Sequence, residues 1–300
     1  MKLTQKIVAL TGIVAFAATP LFAGTGKTFK ETVVVEEEAT PWYNASLSTG
    51  FDSLYMFRGA NLLNTGNGNN DPWGSYGDSL YWTSTSFTWN ITENDSLSIG
   101  AWMAFGLGNI RGGYRELDIP INYTHTMGDL ALGLGYTFYY IFPQDFKDQY
   151  ANELNVSAAY TVDLGFMSLT PKITYFFNLG PDRDVDSLDL GAGSNGMATS
   201  YLDLRLTGNI PVYKEIVSLS PYTALGMNFG YNLEPSGSTN SGLQEFNGFN
   251  NWELGVSLPV AINDNITLTG YVAYSYAFVN LWGTTVPSTF WGGANIAFAF

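Results

Sequence analysis

The stretch that decides the fold is residues 288–300, S-T-F-W-G-G-A-N-I-A-F-A-F. Its even positions are Phe290, Gly292, Ala294, Ile296, Phe298 and Phe300. Its odd positions are Trp291, Gly293, Asn295, Ala297 and Ala299. Side chains alternate across a strand, so this period of two puts a large apolar row on one face and a smaller, more polar row on the other. Left unpaired, such a strand is a sticky edge that a soluble protein has to protect. A sheet closed on itself removes the edge, with the last strand paired to the first. The pattern predicts a barrel with Phe290, Ile296, Phe298 and Phe300 facing out and Trp291 and Asn295 facing in.

Composition agrees. Of 300 residues, 13% are charged and 16% aromatic, with 33 Gly. A soluble domain carries about a quarter charged residues. A helical membrane protein would be far more apolar than this chain, whose mean hydropathy is near zero. An alternating barrel averages a lipid-facing row with a lumen-facing row and lands between the two. The net charge of −14 argues against nucleic acid as a partner. With no Cys there is no disulfide, thiolate metal site or Cys nucleophile.

Lys2 and Lys6, the apolar run 7–18 and Leu21-Phe22-Ala23 before Gly24 read as a secretory signal peptide over residues 1–23. Its removal takes away two Lys and no acid, moving the charge from −14 to −16. Residues 24–41 read as a periplasmic lead-in and 42–300 as the barrel.

From Trp42 onward the alternation yields twelve segments: 43–57, 80–92, 96–107, 114–125, 130–142, 152–162, 167–178, 200–212, 217–231, 251–262, 266–279 and 288–300. Each is long enough for a tilted membrane strand of about 9–11 residues. The connections alternate in length. Residues 93–95, 126–129, 163–166, 213–216 and 263–265 are tight turns, most of them rich in Asn, Asp or Gly. Residues 58–79, 108–113, 143–151, 179–199, 232–250 and 280–287 are longer. Short periplasmic turns and long outer loops mark an outer-membrane barrel. The fold class is thus all-β, a transmembrane antiparallel up-and-down β-barrel of about twelve strands.

The charges fall where this fold requires. Across the twelve apolar faces the one charged residue is Arg115, at a strand's outer end. Asp52, Glu116, Asp118, Glu153, Lys172, Asp203, Arg205 and Glu253 lie on the opposite, lumen-facing rows, and Arg58 follows the first strand. A charge facing lipid near the midplane would cost a few kcal/mol. Aromatics gather near the outer rim of the lipid face (Phe105, Phe142, Phe177, Tyr231, Trp252, Phe278) and near its periplasmic rim (Tyr43, Trp89, Tyr123, Phe300), as interfacial girdles do. Pro120, Pro171, Pro221 and Pro259 weaken individual strands or mark bulges.

Candidate chemistry is sparse. Gly77-Asp78-Ser79-Leu80 matches the motif of GDSL esterases, but a Ser nucleophile needs a general base within hydrogen-bond reach. The sole His, His125, falls at the opposite, periplasmic end of its strand and reads as structural. No catalytic residue is assigned, and no cofactor is implied. Asp182, Asp184, Asp186 and Asp189 open like a calcium loop. That loop needs Gly at its sixth position and Glu at its twelfth, where Ser187 and Gly193 stand, leaving a weak cation candidate.

The ending 288–300 resembles the terminal strand of bacterial outer-membrane β-barrels, whose last residue is typically Phe. The resemblance implies that Phe300 is part of the signal read by the barrel assembly machinery. A second resemblance rests on residues 47–59, L-S-T-G-F-D-S-L-Y-M-F-R-G. They are similar to the start of the TorF family of porins, in which an early strand ends in an aromatic-Arg-Gly step, matched by Phe57-Arg58-Gly59. The Asn/Gly-rich loop that follows departs from that family's pattern. The resemblance implies an outer-membrane channel and carries over no catalytic residue.

The expected function is a narrow, porin-like channel in the outer membrane for passive diffusion of small hydrophilic solutes, the acids of the outer lumen giving a mild cation preference. The competing expectation is a non-conducting structural or adhesin-type barrel, in which the lumen charges pair with one another. Expected partners are outer-membrane lipid and the assembly machinery. Monomers and homo-oligomers both fit.

Overall fold

The computed structural model describes residues 42–63, 79–107, 114–142, 149–179, 199–214, 216–235, 243–279 and 288–300. The expected signal peptide and lead-in and the candidate cation loop with Asp182, Asp184 and Asp186 lie outside the described residues. Twelve strands form the wall: β1 (Tyr43–Asp52), β2 (Leu80–Asn90), β3 (Asp95–Gly106), β4 (Arg115–Met127), β5 (Leu130–Phe142), β6 (Gln149–Tyr160), β7 (Ser168–Asn178), β8 (Thr199–Tyr213), β9 (Val217–Pro235), β10 (Leu243–Asn263), β11 (Ile266–Ala277) and β12 (Ser288–Ala299). Each pairs antiparallel with its neighbours in sequence. A two-residue piece, Val162–Asp163, pairs with the start of β7.

The ring closes where the terminal alternation predicts. β12 pairs with β1 from Ser46↔Ala299 to Asp52↔Gly293. Just past β12, the Phe300 N–H donates to the Ala45 carbonyl at 2.9 Å and the Ala45 N–H donates back at 3.2 Å. Through the body of the wall no described strand is left with an open edge, the one way for a sheet to satisfy its backbone groups in hydrocarbon.

Period two holds along the wall. Leu134, Leu258 and Val272 stand outward, 54%, 45% and 61% exposed, where lipid would cover them. Ser48, Ser84, Asn122, Thr137, Ser257, Thr269 and Asn295 point inward and are buried. The inner row mixes these small polar residues with large aromatics, Trp82, Trp102, Tyr139, Tyr201, Tyr222 and Tyr271 among them, and it is packed. The apolar core lies inside the barrel, toward the end with the longer connections, around Tyr55, Phe57, Leu80, Trp82 and Trp102.

Two boundaries and one side-chain direction depart clearly from the alternation. The first strand ends at Asp52, not at residue 57, because the chain turns into the barrel. The expected loop 232–250 is largely strand: β9 and β10 stay paired out to Pro235↔Leu243. Tyr231 is not in the outer girdle. It is 4% exposed and lies inside. The cause is an irregularity in β9, where Ser200 pairs with Gly230 but Tyr201 pairs with Asn228. One extra residue, with Gly230 at φ 74°, shifts the alternation and turns Tyr231 inward. Pro120 interrupts the β3–β4 pairing between Ile99↔Ile121 and Trp102↔Asp118 without changing register, since it has no N–H to donate.

Candidate functional site

After Asp52 the alternation fails. Leu54, Tyr55, Met56 and Phe57 are four apolar residues in a row, and a wall strand with water on one side cannot place them all. All four are buried inside the barrel. Met56 pairs with Asn61 and Phe57 with Ala60, which makes a hairpin with a two-residue turn at Arg58-Gly59. Their φ angles are 48° and 81°. Positive φ at both positions is the type I′ turn that suits a tight hairpin. Gly59 adopts it freely. Arg58 does so at a cost of about 1–2 kcal/mol, which its contacts must offset.

Those contacts are strong. Arg58 Nη1 donates to Glu153 Oε2 at 2.7 Å and Nη2 donates to Oε1 at 2.9 Å. This is the two-pronged fork that guanidinium and carboxylate planes allow. The two side chains are 5% and 2% exposed. Glu153 also accepts from Tyr139 at 3.0 Å and Tyr231 at 2.8 Å. The guanidinium carbon lies 4.0 Å from the ring centre of Phe176, 4.2 Å from Tyr231, 4.6 Å from Phe57 and 5.3 Å from Tyr201. Each is within cation–π range. The Asn250 amide donates to the Arg58 carbonyl at 2.6 Å, fixing the turn to β10.

Three further groups line the lumen. Glu116 Oε2 accepts from Tyr55 at 2.7 Å and Tyr114 at 2.6 Å. Asp118 lies two residues along the same face, and its buried Oδ1 has no partner among the described residues. Arg205 sits between Asp203 at 3.5 Å and Glu253 at 3.8 Å, and Tyr222 donates to Glu253 at 2.7 Å. Lys172 is opposite Arg205 across β7 and β8. Asp52 accepts from Tyr271 at 2.6 Å, over the closing strand.

All of the expected lumen residues therefore face inward. Arg58 and Arg205 are each matched with acids, while Asp52, Glu116 and Asp118 have no basic partner among the described residues. The inward hairpin and its aromatic surround (Tyr55, Tyr139, Phe176, Tyr201, Tyr231) are absent from a reading by alternation. The signals for them are the apolar run 54–57 and the Arg-Gly step after it.

The other candidates are dispersed. Ser79 precedes β2 at the outer end of the wall, while His125 lies near the far end of β4. His125 Nδ1 is 2.8 Å from Asp95 Oδ1, which also accepts from Tyr123 at 2.5 Å; Thr92 bonds to the other oxygen at 2.6 Å. This cluster ties the β2–β3 turn to β4. Phe300 is 72% exposed on the outer face.

No family model matches the sequence, and no curated protein matches it either. Solved structures do resemble the fold. An outer-membrane channel of the COG4313 group from Pseudomonas putida F1 aligns with a TM-score of 0.52 at 13% identity, covering 90% of this chain and 100% of that one. The translocator domain of the autotransporter NalP from Neisseria meningitidis gives 0.46 at 11% identity, covering 88% and 90%. LpxR from Salmonella typhimurium gives 0.47 at 10% identity, covering 84% and 99%. At these identities the likeness is one of fold. The chain is a twelve-stranded antiparallel β-barrel of the outer-membrane type.

Proposed function

We propose that the protein is an outer-membrane channel for passive diffusion of small hydrophilic solutes and ions, with a mild cation preference. The observation that carries this reading is the lining. The inner row carries Ser, Thr, Asn and Gly between aromatics such as Trp82, Trp102, Tyr222 and Tyr271, and Asp52, Glu116 and Asp118 give it more acid than base. Negative side chains around a narrow passage raise the local concentration of cations and repel anions. A signal peptide over residues 1–23, as the sequence suggests, would send the chain toward that membrane. The proposal includes no catalytic step, since Ser79 and His125 stand at opposite ends of the wall.

Planar-bilayer recording across a salt gradient tests it. The expected result is a small conductance with a cation-selective reversal potential; an anion-selective one contradicts it. One observation favours a second reading: the hairpin occupies the outer half of the lumen. On that reading the barrel does not conduct and serves as a structural or adhesin-type surface protein. Refolded protein with no conductance, with or without the hairpin, supports it over the channel.

A further inference from the structure

The surroundings of Arg58 have the form of a ligand site. Glu153 comes from β6, Tyr139 from β5, Phe176 from β7, Tyr201 from β8 and Tyr231 from β9, so five consecutive staves supply one box. Glu153 is oriented by two tyrosine hydroxyls, and its two oxygens are presented side by side. Aromatic faces converge on the space in front of it. What fills that space belongs to none of these strands. It is the side chain of a hairpin that enters from the end of β1 and holds a non-Gly residue at positive φ.

We propose that this box is a binding site for guanidinium-bearing solutes, that Arg58 is its internal occupant, and that an external guanidinium competes with Arg58 for it. This rests on the channel reading, and it names the solute class that the outer lumen selects. Charge and shape give the class. A carboxylate presenting two parallel acceptors matches a planar fork of N–H donors, and aromatic faces suit a delocalised, weakly hydrated cation. A compact ammonium ion meets the charge but neither the fork nor the stacking. A tethered occupant has a high effective concentration, so the free solute binds weakly until Arg58 withdraws.

The test is calorimetric titration of refolded, detergent-solubilised protein with methylguanidinium chloride, with methylammonium chloride as the control. Wild type, Arg58→Ala and the double variant Arg58→Ala/Glu153→Gln are compared, each first shown to be a folded barrel by heat-modifiable gel mobility. Arg58→Ala empties the box. It is expected to bind methylguanidinium saturably, at least tenfold more tightly than wild type and at least tenfold more tightly than it binds methylammonium. The double variant is expected to lose that binding. Arg58→Ala binding no more tightly than wild type, or saturation that survives Glu153→Gln, overturns the proposal. Binding is read without any current. A barrel that binds but never conducts therefore fails as a channel and keeps the box; one that conducts but does not bind does the reverse.

Discussion

Arg58 combines a left-handed backbone, a buried charge and four aromatic neighbours. Removing one partner of a buried ion pair is costly, about 3–5 kcal/mol, because the other charge is stranded. Glu153→Gln should therefore loosen the hairpin while the wall stays intact. Amide exchange over residues 54–63 should lose protection, and unchanged protection would refute the anchoring role. Gly59→Ala probes the same turn. Its φ is 81°, and an added Cβ would come within 2.6 Å of the Asn251 side chain. A loss of about 1–3 kcal/mol is expected, read by the same exchange; a neutral variant would contradict the type I′ turn. At this scale alternation identified Asp52, Glu116, Asp118, Glu153, Lys172, Asp203, Arg205 and Glu253 as lumen residues, because period two fixes the face of a strand. It could not pair Arg58 with Glu153. They are 95 positions apart and meet only through the hairpin fold.

At the level of strands, the predicted segment 130–142 matches β5 at both ends. Its alternation is unbroken, and Gly128 at φ 61° supplies the turn before it. β1, β9 and β10 were misjudged where another force overrides the pattern: burial of an apolar run in β1, and continued backbone pairing of β9 with β10 across polar sequence. The single extra residue at Gly230 is invisible in the pattern for a different reason: it flips side chains without changing composition. The lipid face gives a direct test of the alternation. Val272 lies mid-strand in β11 and is 61% exposed. Val272→Arg should cost about 2–4 kcal/mol near the midplane, seen as a lower urea midpoint for the barrel in lipid vesicles. An unchanged midpoint would mean that this face does not meet hydrocarbon.

For the whole molecule, closure and filling are separate matters. The seam between β12 and β1 makes a barrel, and deleting residues 288–300 should leave an open sheet that shows no heat-modifiable band on gels; a compact, heat-modifiable product would refute closure by this strand. The hairpin sets how far the barrel is filled, because it packs the outer half of the lumen. A channel occluded by its own chain should conduct more once the occlusion is removed, and its acid surplus should still select cations. The most direct measurement is single-channel recording across a potassium chloride gradient. Wild type is compared with a variant in which residues 54–62 are replaced by a short Gly/Ser link. A several-fold larger conductance in the variant, with a cation-selective reversal potential in both, is the predicted result. Equal conductance, an anion-selective reversal potential, or no current from either protein would contradict it.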